Sequence, residues 1–302
     1  MLARKKVLWP IRLKHVFSSV FLVLMILYSA PMRVQAQSPE LPPFDPTSLV
    51  FETVAGDYGN IYNVIQDKDG FLWLAGINGA IKYNGYEAET IYSGDTISAL
   101  FEDSEGLIWM NALSGLVVYD KKTGKISTYV SNPDEPNALS GGSFLFFQKT
   151  QLFAEDRDGF IWIATVNGLN KFDKKSGQFT AYKHKAGDPA TLLDNDVWSV
   201  LTAKDGSLWV GTATGLHKFD PRTGRVIEHY AENVNDPKAL YGKYVQATVE
   251  DNDGFIWAGT TTGGLNRLDP KVKTFSHYRA NLPGSQKIAN NFIYRLAHLV
   301  ER

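Results

Sequence analysis

Beyond residue 50 the chain alternates short apolar runs with polar clusters rich in Gly, Asp, Asn and Thr. One stretch shows the pattern clearly: Val197 to Thr202, Ser207 to Thr212, Leu216 to Asp220 and Val226 to Tyr230 are apolar or alternating runs. Between them lie Lys204-Asp205-Gly206, Thr214-Gly215 and Pro221-Arg222-Thr223-Gly224. Gly supplies positive φ and Asp tolerates it, so these clusters predict hairpin turns and the runs predict antiparallel strands. Clear helical periodicity is absent until the last dozen residues, which makes the prediction all-β.

The pattern repeats. Gly is followed three residues later by Trp at Gly70/Trp73, Gly106/Trp109, Gly159/Trp162, Gly206/Trp209 and Gly254/Trp257. A second Gly, an aromatic or Leu, and usually an Asp come after each Trp. Trp-to-Trp spacings of 36, 53, 47 and 48 residues fit a four-stranded propeller blade, with a shortened first step and an insertion in the second. The reading is a β-propeller of five complete repeats over residues 51–302 plus the start of a sixth, part of a larger ring. Each indole is expected on a second strand, filling the wedge between adjacent sheets. Gly211-Thr212 and Gly259-Thr260 are expected to let the chain turn near the crowded axis. Asn132 to Leu139, Gly187 to Leu192 and Asn235 to Leu240 lead from fourth strands back to the axis, and their prolines block edge pairing. Phe51 to Val54 matches fourth-strand segments and is expected to complete a last blade or remain an edge. Asn291 to Val300 resembles the first strand of a sixth unit, and the chain then stops, so it is expected to be the front portion of a longer product.

Composition narrows the function. Of 302 residues, 44% are hydrophobic, enough for a sizeable core. The 31 Lys and Arg against 32 Asp and Glu give no field that favours nucleic acid, which is not expected as a partner. The sequence has no Cys, which removes disulfides and thiolate chemistry. Arg4, Lys5, Lys6, Arg12 and Lys14 precede the apolar Val16 to Ala30 stretch, and Val34-Gln35-Ala36 offers a small-residue cleavage pattern. A secretory signal peptide over 1–36 and an exported, periplasmic chain are expected, the alternative being an uncleaved anchor. Residues 37–50 carry Pro39, Pro42, Pro43 and Pro46 and read as a stiff lead-in.

Asp67-Lys68-Asp69-Gly70, Asp156-Arg157-Asp158-Gly159 and Asp251-Asn252-Asp253-Gly254 begin like calcium loops. Position twelve, which needs an acidic ligand, holds Asn78, Asn167 and Thr262, so these tetrads read as hairpin turns. No metal and no cofactor are expected.

The Asp-x-x-Gly-x-Ile-Trp-Ile-Gly-Thr and Gly-Leu-x-Lys-Phe-Asp pieces closely resemble the two-component regulator propeller repeat, over residues 51 to 300. The resemblance implies the exported sensor region of a bacterial hybrid histidine kinase, or of a related protein with another output such as a diguanylate cyclase. It also implies seven-bladed rings, an immunoglobulin-like domain, a membrane helix and a cytoplasmic output module, which would be this chain's partner or continuation.

Comparison among the copies isolates the positions free to read a ligand. At the entrance of the innermost strand stand Tyr62, Ser98, Gln151, Trp198 and Gln246, and after the Trp strand stand Asn78, Ser114, Asn167, Thr214 and Thr262. Aromatics beside amides and hydroxyls suit a small polar ligand such as a carbohydrate. The alternative is a solvated rim with no ligand. An exported lyase similar to the streptogramin lyases is the enzymatic alternative. Its base would have to come from the histidines, of which His184 and His298 are nearest the channel and neither has an obvious acidic partner. No catalytic residue is assigned.

Overall fold

The computed structural model describes residues 58–132, 134–141 and 151–296. Contacts divide the chain into Met1–Glu52 and Thr53–Arg302, and every described residue belongs to the second unit. The expected signal peptide, the lead-in, the Phe51 to Val54 strand and His298 lie outside the described residues.

These residues form five four-stranded antiparallel sheets, each in chain order. The first blade is β1 (Ile61–Gln66), β2 (Leu72–Gly76), β3 (Gly79–Tyr83) and β4 (Ala88–Ser93). The second is β5 (Ile97–Glu102), β6 (Leu107–Ala112), β7 (Gly115–Asp120) and β8 (Ile126–Tyr129). The third is β9 (Phe153–Glu155), β10 (Ile161–Thr165), β11 (Gly168–Asp173) and β12 (Gln178–Tyr182). The fourth is β13 (Val197–Thr202), β14 (Leu208–Thr212), β15 (Gly215–Asp220) and β16 (Arg225–Ala231). The fifth is β17 (Val245–Glu250), β18 (Ile256–Thr260), β19 (Leu265–Asp269) and β20 (Thr274–Tyr278). The first strands of successive blades are neighbours around a shared axis.

All five repeat tryptophans sit on second strands and are at most 5% exposed. Trp73, Trp109 and Trp162 meet an aromatic on the third strand of the following blade: Tyr119 at 5.7 Å, Phe172 at 5.3 Å and Phe219 at 5.3 Å between ring centroids. Each such burial contributes about 2–3 kcal/mol.

The turn before each Trp holds it by a hydrogen bond. In the first blade Asp67 Oδ1 accepts the N–H groups of Asp69 and Phe71, while Oδ2 accepts Trp73 Nε1–H at 2.9 Å. Asp103 with Trp109, Asp156 with Trp162 and Asp251 with Trp257 repeat this at 3.0, 2.7 and 2.8 Å. The tetrads are hairpin turns as expected, and their leading Asp also satisfies a buried indole. Ala203 stands at that position in the fourth blade. Its turn keeps the same backbone bond, Ala203 N–H to Ser207 O at 2.9 Å. There Asp205 takes over the polar work. Burial pushes its carboxyl up, but bonds from Lys218 and Ser207 outweigh this and hold it at about 2.

The same turns join blade to blade. A carboxylate ending the next blade's first strand captures a turn N–H: Lys68 to Glu102 at 2.7 Å, Ser104 to Glu155 at 2.6 Å and Lys204 to Glu250 at 2.6 Å. At the interface of the third and fourth blades Thr202 replaces the carboxylate, and Arg157 donates instead to the Lys204 carbonyl. Two lysines from third-to-fourth-strand turns clamp the first interfaces. Lys121 lies 2.6 Å from Glu102, 2.7 Å from Asp69 and 3.2 Å from Asp67. Lys174 lies 2.8 Å from Glu105, 2.9 Å from Glu155 and 3.3 Å from Asp103. Partial burial pulls both ammonium groups down, but these carboxylates outweigh it and hold them above the ordinary lysine value.

On the opposite face run the long connections, which cover the fourth-strand edge of the blade they enter. Phe179, Val226 and Phe275 on fourth strands each donate their N–H to a connection carbonyl, Asn137, Ala190 and Lys238, at 2.9 Å. Leu139, Leu192 and Leu240 are buried beneath them. Gly211 and Gly259 serve a close approach rather than a turn. A Cβ on Gly211 would lie 2.2 Å from the Val245 carbonyl of the next first strand. Ile293 packs on Gly259 in the same way and donates its N–H to Thr260 O at 3.0 Å. The sixth unit thus begins in register, although residues 291–296 form no assigned strand.

Two stability predictions arise from these layers. Trp162→Ala is expected to cost about 3–5 kcal/mol. Asp156→Asn, which sets an amide N–H against the indole N–H, is expected to cost about 1–3 kcal/mol, and Ala203→Asp to add about 1 kcal/mol. Urea unfolding midpoints check all three; a destabilised Ala203→Asp chain would show that the fourth turn does not accept the carboxylate. Lys174→Met should cost about 1–3 kcal/mol by stranding three carboxylates, and Lys175→Met, beside it, should cost little. Equal thermal shifts for the two variants would dismiss the clamp.

Candidate functional site

Four of the five candidate positions share one backbone device. The pairing of first and second strands skips a residue between Ile61 and Asn63, Ile97 and Ala99, Val197 and Ser199, and Val245 and Ala247. The skipped residues are Tyr62, Ser98, Trp198 and Gln246. A bulge leaves its extra residue out of the ladder and re-aims the side chain. Gln151, the equivalent in the third blade, precedes β9. Its Nε2–H donates to Thr248 O at 2.6 Å, and its Oε1 accepts Thr248 N–H at 2.7 Å. The amide thereby mimics a strand peptide and ties the third blade to the fifth across the fourth.

Burial separates the five. Ser98 and Trp198 are 6% exposed and Gln246 is 1% exposed, while Tyr62 and Gln151 are half-buried. Ser98 Oγ accepts Asn111 Nδ2–H at 2.7 Å. Trp198 donates its indole N–H to Asp196 at 2.8 Å and sets its ring edge-to-face with Tyr244 at 5.3 Å. The amides of Asn63 and Gln246 and the Thr248 hydroxyl are buried without a hydrogen-bond partner among the described residues. Such groups are where ordered water binds in protein interiors.

The second set of candidates fastens the framework. Asn78 donates to Tyr58 O at 3.2 Å, Ser114 to Asp95 at 2.5 Å and Asn167 to Ser140 O at 2.7 Å, while Thr262 Oγ1 accepts Lys243 N–H at 3.0 Å. Each bond pins the second hairpin turn to the chain entering its first strand. Thr214 N–H bonds within its own turn, to Thr212 Oγ1 at 3.4 Å.

Exposed apolar side chains near these positions are ones that comparison of the copies did not single out. Tyr244 is 40% exposed and has a φ of +54°, a conformation that L residues adopt at some cost. Ile77, Leu113 and Val166 are exposed at one turn position in the first three blades. Ile77 and Leu113 donate their N–H groups to Asn60 O and Thr96 O, at the entrances of β1 and β5. Their signal in the sequence is an apolar residue opening an otherwise polar turn.

The described histidines are engaged with the connections. His184 Nδ1 lies 2.7 Å from Leu192 O, His277 Nε2 lies 3.1 Å from Pro237 O, and His229 Nε2 contacts Pro189 O. His217 is fully buried on β15, where β11 and β19 carry Asn170 and Asn266.

A family model described as two component regulator propeller matches residues 191–214, the segment from the entry of the fourth blade through β13 and its turn to β14. No curated protein sequence matches the chain. Among solved structures, the chain resembles the extracellular domain of the putative one component system BT4673 from B. thetaiotaomicron, with TM-score 0.56 and 18% identity, covering 78% of this chain and 35% of that one. It also resembles PorZ, a surface component of the type-IX secretion system of Porphyromonas gingivalis, with TM-score 0.57 and 17% identity, covering 79% and 36%. A third likeness is to virginiamycin B lyase from Staphylococcus aureus, with TM-score 0.53 and 17% identity, covering 75% and 72%. The chain thus spans about a third of the length of the first two. At these identities the likeness is one of fold. The family model lies on the fourth blade, and the other four blades repeat its turn, Trp and Gly positions, so the whole array resembles the two component regulator propeller repeat.

Proposed function

We propose that the chain is the exported sensing or interaction propeller of a bacterial two-component-type signalling system, binding a small polar ligand such as a carbohydrate without catalysis. The observation that carries this reading is the bulge of the first strand. One backbone device is built in four blades, and it presents four different side chains, Tyr62, Ser98, Trp198 and Gln246. A framework that repeats while the residues at its bulges differ can shape a ligand surface from the partly exposed Tyr62 and from the layer that the buried Ser98, Trp198 and Gln246 support. Tyr244, braced by Trp198, offers an exposed ring at the same end of the axis.

Export is supported by the basic and apolar N-terminal segment and by the fold shared with an extracellular domain. No helix among the described residues is long and apolar enough to cross a membrane. The signalling output belongs, on this reading, to a separate module or partner.

The streptogramin-lyase alternative rests on the fold likeness to virginiamycin B lyase. Against it, no histidine among the described residues is oriented by a carboxylate, and His217 is fully buried. A base needs a free nitrogen within reach of the proton it abstracts.

Thermal unfolding with a panel of neutral oligosaccharides, run beside chromatography of the cyclic depsipeptide virginiamycin B, separates the readings. The expected result is a raised Tm with an oligosaccharide and an intact depsipeptide ring. Ring opening would replace the sensor by the enzyme. Tyr62→Ala with Trp198→Ala should abolish the rise in Tm while the β-sheet circular dichroism persists, and Tyr244→Ala, which removes an exposed ring, should weaken it. Undiminished binding in both variants would move the site elsewhere.

A further inference from the structure

In the third, fourth and fifth blades the third strand carries one buried polar residue that captures the connection entering that blade. In the third blade Asn170 Oδ1 accepts Ser140 N–H at 3.0 Å, and its Nδ2–H donates to Ser140 Oγ at 2.9 Å. In the fifth, Asn266 Oδ1 accepts Tyr241 N–H at 3.0 Å, and Nδ2–H donates to Tyr241 O at 3.0 Å. The fourth blade departs from this. His217 holds the connection by accepting Leu193 N–H at Nε2, 3.4 Å, with Thr212 Oγ1 at 3.3 Å from the same nitrogen. His229, its cross-strand partner on β16, reaches Pro189 O in the same connection. The two rings meet edge-to-face at 5.2 Å, and both Nδ1 atoms are buried without a partner among the described residues.

An acceptor nitrogen differs from an amide oxygen in one respect: a proton abolishes it. Once Nε2 of His217 carries hydrogen it turns a donor toward the Leu193 N–H, and the charge has only its neighbouring imidazole beside it. The charged groups on the surrounding elements are occupied elsewhere. Asp188 lies 3.6 Å from Arg225, Glu228 lies 3.1 Å from Lys273, and Lys218 lies 2.8 Å from Asp205. Asp194 Oδ1 accepts Asp196 N–H, and Asp196 accepts the Trp198 indole. Asp220 is held by the Arg222 N–H and the Thr223 hydroxyl in its own turn. Lys183 and Lys185, with His184, complete the titratable groups of the connection. Neither imidazole has a carboxylate partner among the described residues, and β14 contributes no charge.

We infer that His217, backed by His229, is a pH-sensitive latch on the connection of residues 184–193, closed while Nε2 of His217 accepts the Leu193 N–H and released when that nitrogen is protonated. The connection leads directly into Asp194, Asp196 and Trp198, so its release loosens the entry of β13 and the brace of Tyr244. Burial, followed by the charge of His229, depresses His217 from 6.5 to about 3 in the closed form. A depressed value means that the closed form is favoured fully above about pH 6.5 and is lost progressively as the pH falls toward 3. One histidine with these values raises the opening equilibrium about 30-fold between pH 7.5 and pH 5.

Hydrogen exchange on the whole chain, corrected for the intrinsic pH dependence of exchange, measures this opening. Peptides over 134–139, held by Asn170, are internal controls; the 233–240 connection, whose Pro237 carbonyl meets His277, is not one. The expected result is a rise of about 30-fold in opening of 184–193 on acidification, absent from the controls. His217→Asn copies the residue of the third and fifth blades and is expected to remove the pH dependence while leaving protection at pH 7.5; His229→Asn should reduce it. A wild-type connection whose opening follows the controls would overturn the inference, whether or not the variants fold. So would an unchanged pH dependence in a folded His217→Asn chain.

Discussion

The structure depends on placing an indole between two sheets while leaving its N–H satisfied. A tryptophan is the largest flat surface available to fill the wedge between blades, but a buried N–H without an acceptor forfeits much of what the ring contributes. The Asp six residues earlier resolves this, because one carboxylate oxygen shapes the turn and the other receives the indole. Turn geometry, second-strand position and inter-blade packing are thereby set by one side chain. The carboxylate itself is the remaining difficulty. In the first two blades a lysine from the following blade supplies the countercharge, so the polar end of each hydrophobic layer also becomes an inter-blade contact.

The interfaces are therefore two-sided. On the turn face they are held by carboxylates and lysines, and on the opposite face by connections whose carbonyls cover fourth-strand edges. This division leaves the axis end of the connection face as the place where side chains can differ. The first strands there are bulged in four blades, and the next blade passes so close that position 211 admits no Cβ.

Strand order, the buried tryptophans, the turns and the existence of the connections were legible in the sequence because each leaves a mark within one repeat. The lysine clamps were not, since Lys121 and its partner Asp69 are far apart in sequence and nothing local distinguishes Lys121 from Lys122. The Asp–Trp bond was legible in principle from its constant spacing, with Ala203 as the single departure among five copies. At the candidate site, comparing copies found positions that vary but not how deep they lie. A bulge looks like one more residue in an apolar run, so the burial of Ser98, Trp198 and Gln246 and the exposure of Tyr244 left no pattern to read.

The Gln151 amide carries a consequence for how such an array changes over time. Repeat proteins whose units touch only their neighbours can gain or lose a unit by duplication or excision, since each new interface resembles the old one. Gln151 binds the backbone of Thr248, two blades away, and so makes the fourth blade a fixed spacer between them. Excising that blade would bring the third against the fifth with the amide aimed at a strand now too near to accept it. Repeat-number variation should then be tolerated more easily elsewhere in the array than at this blade.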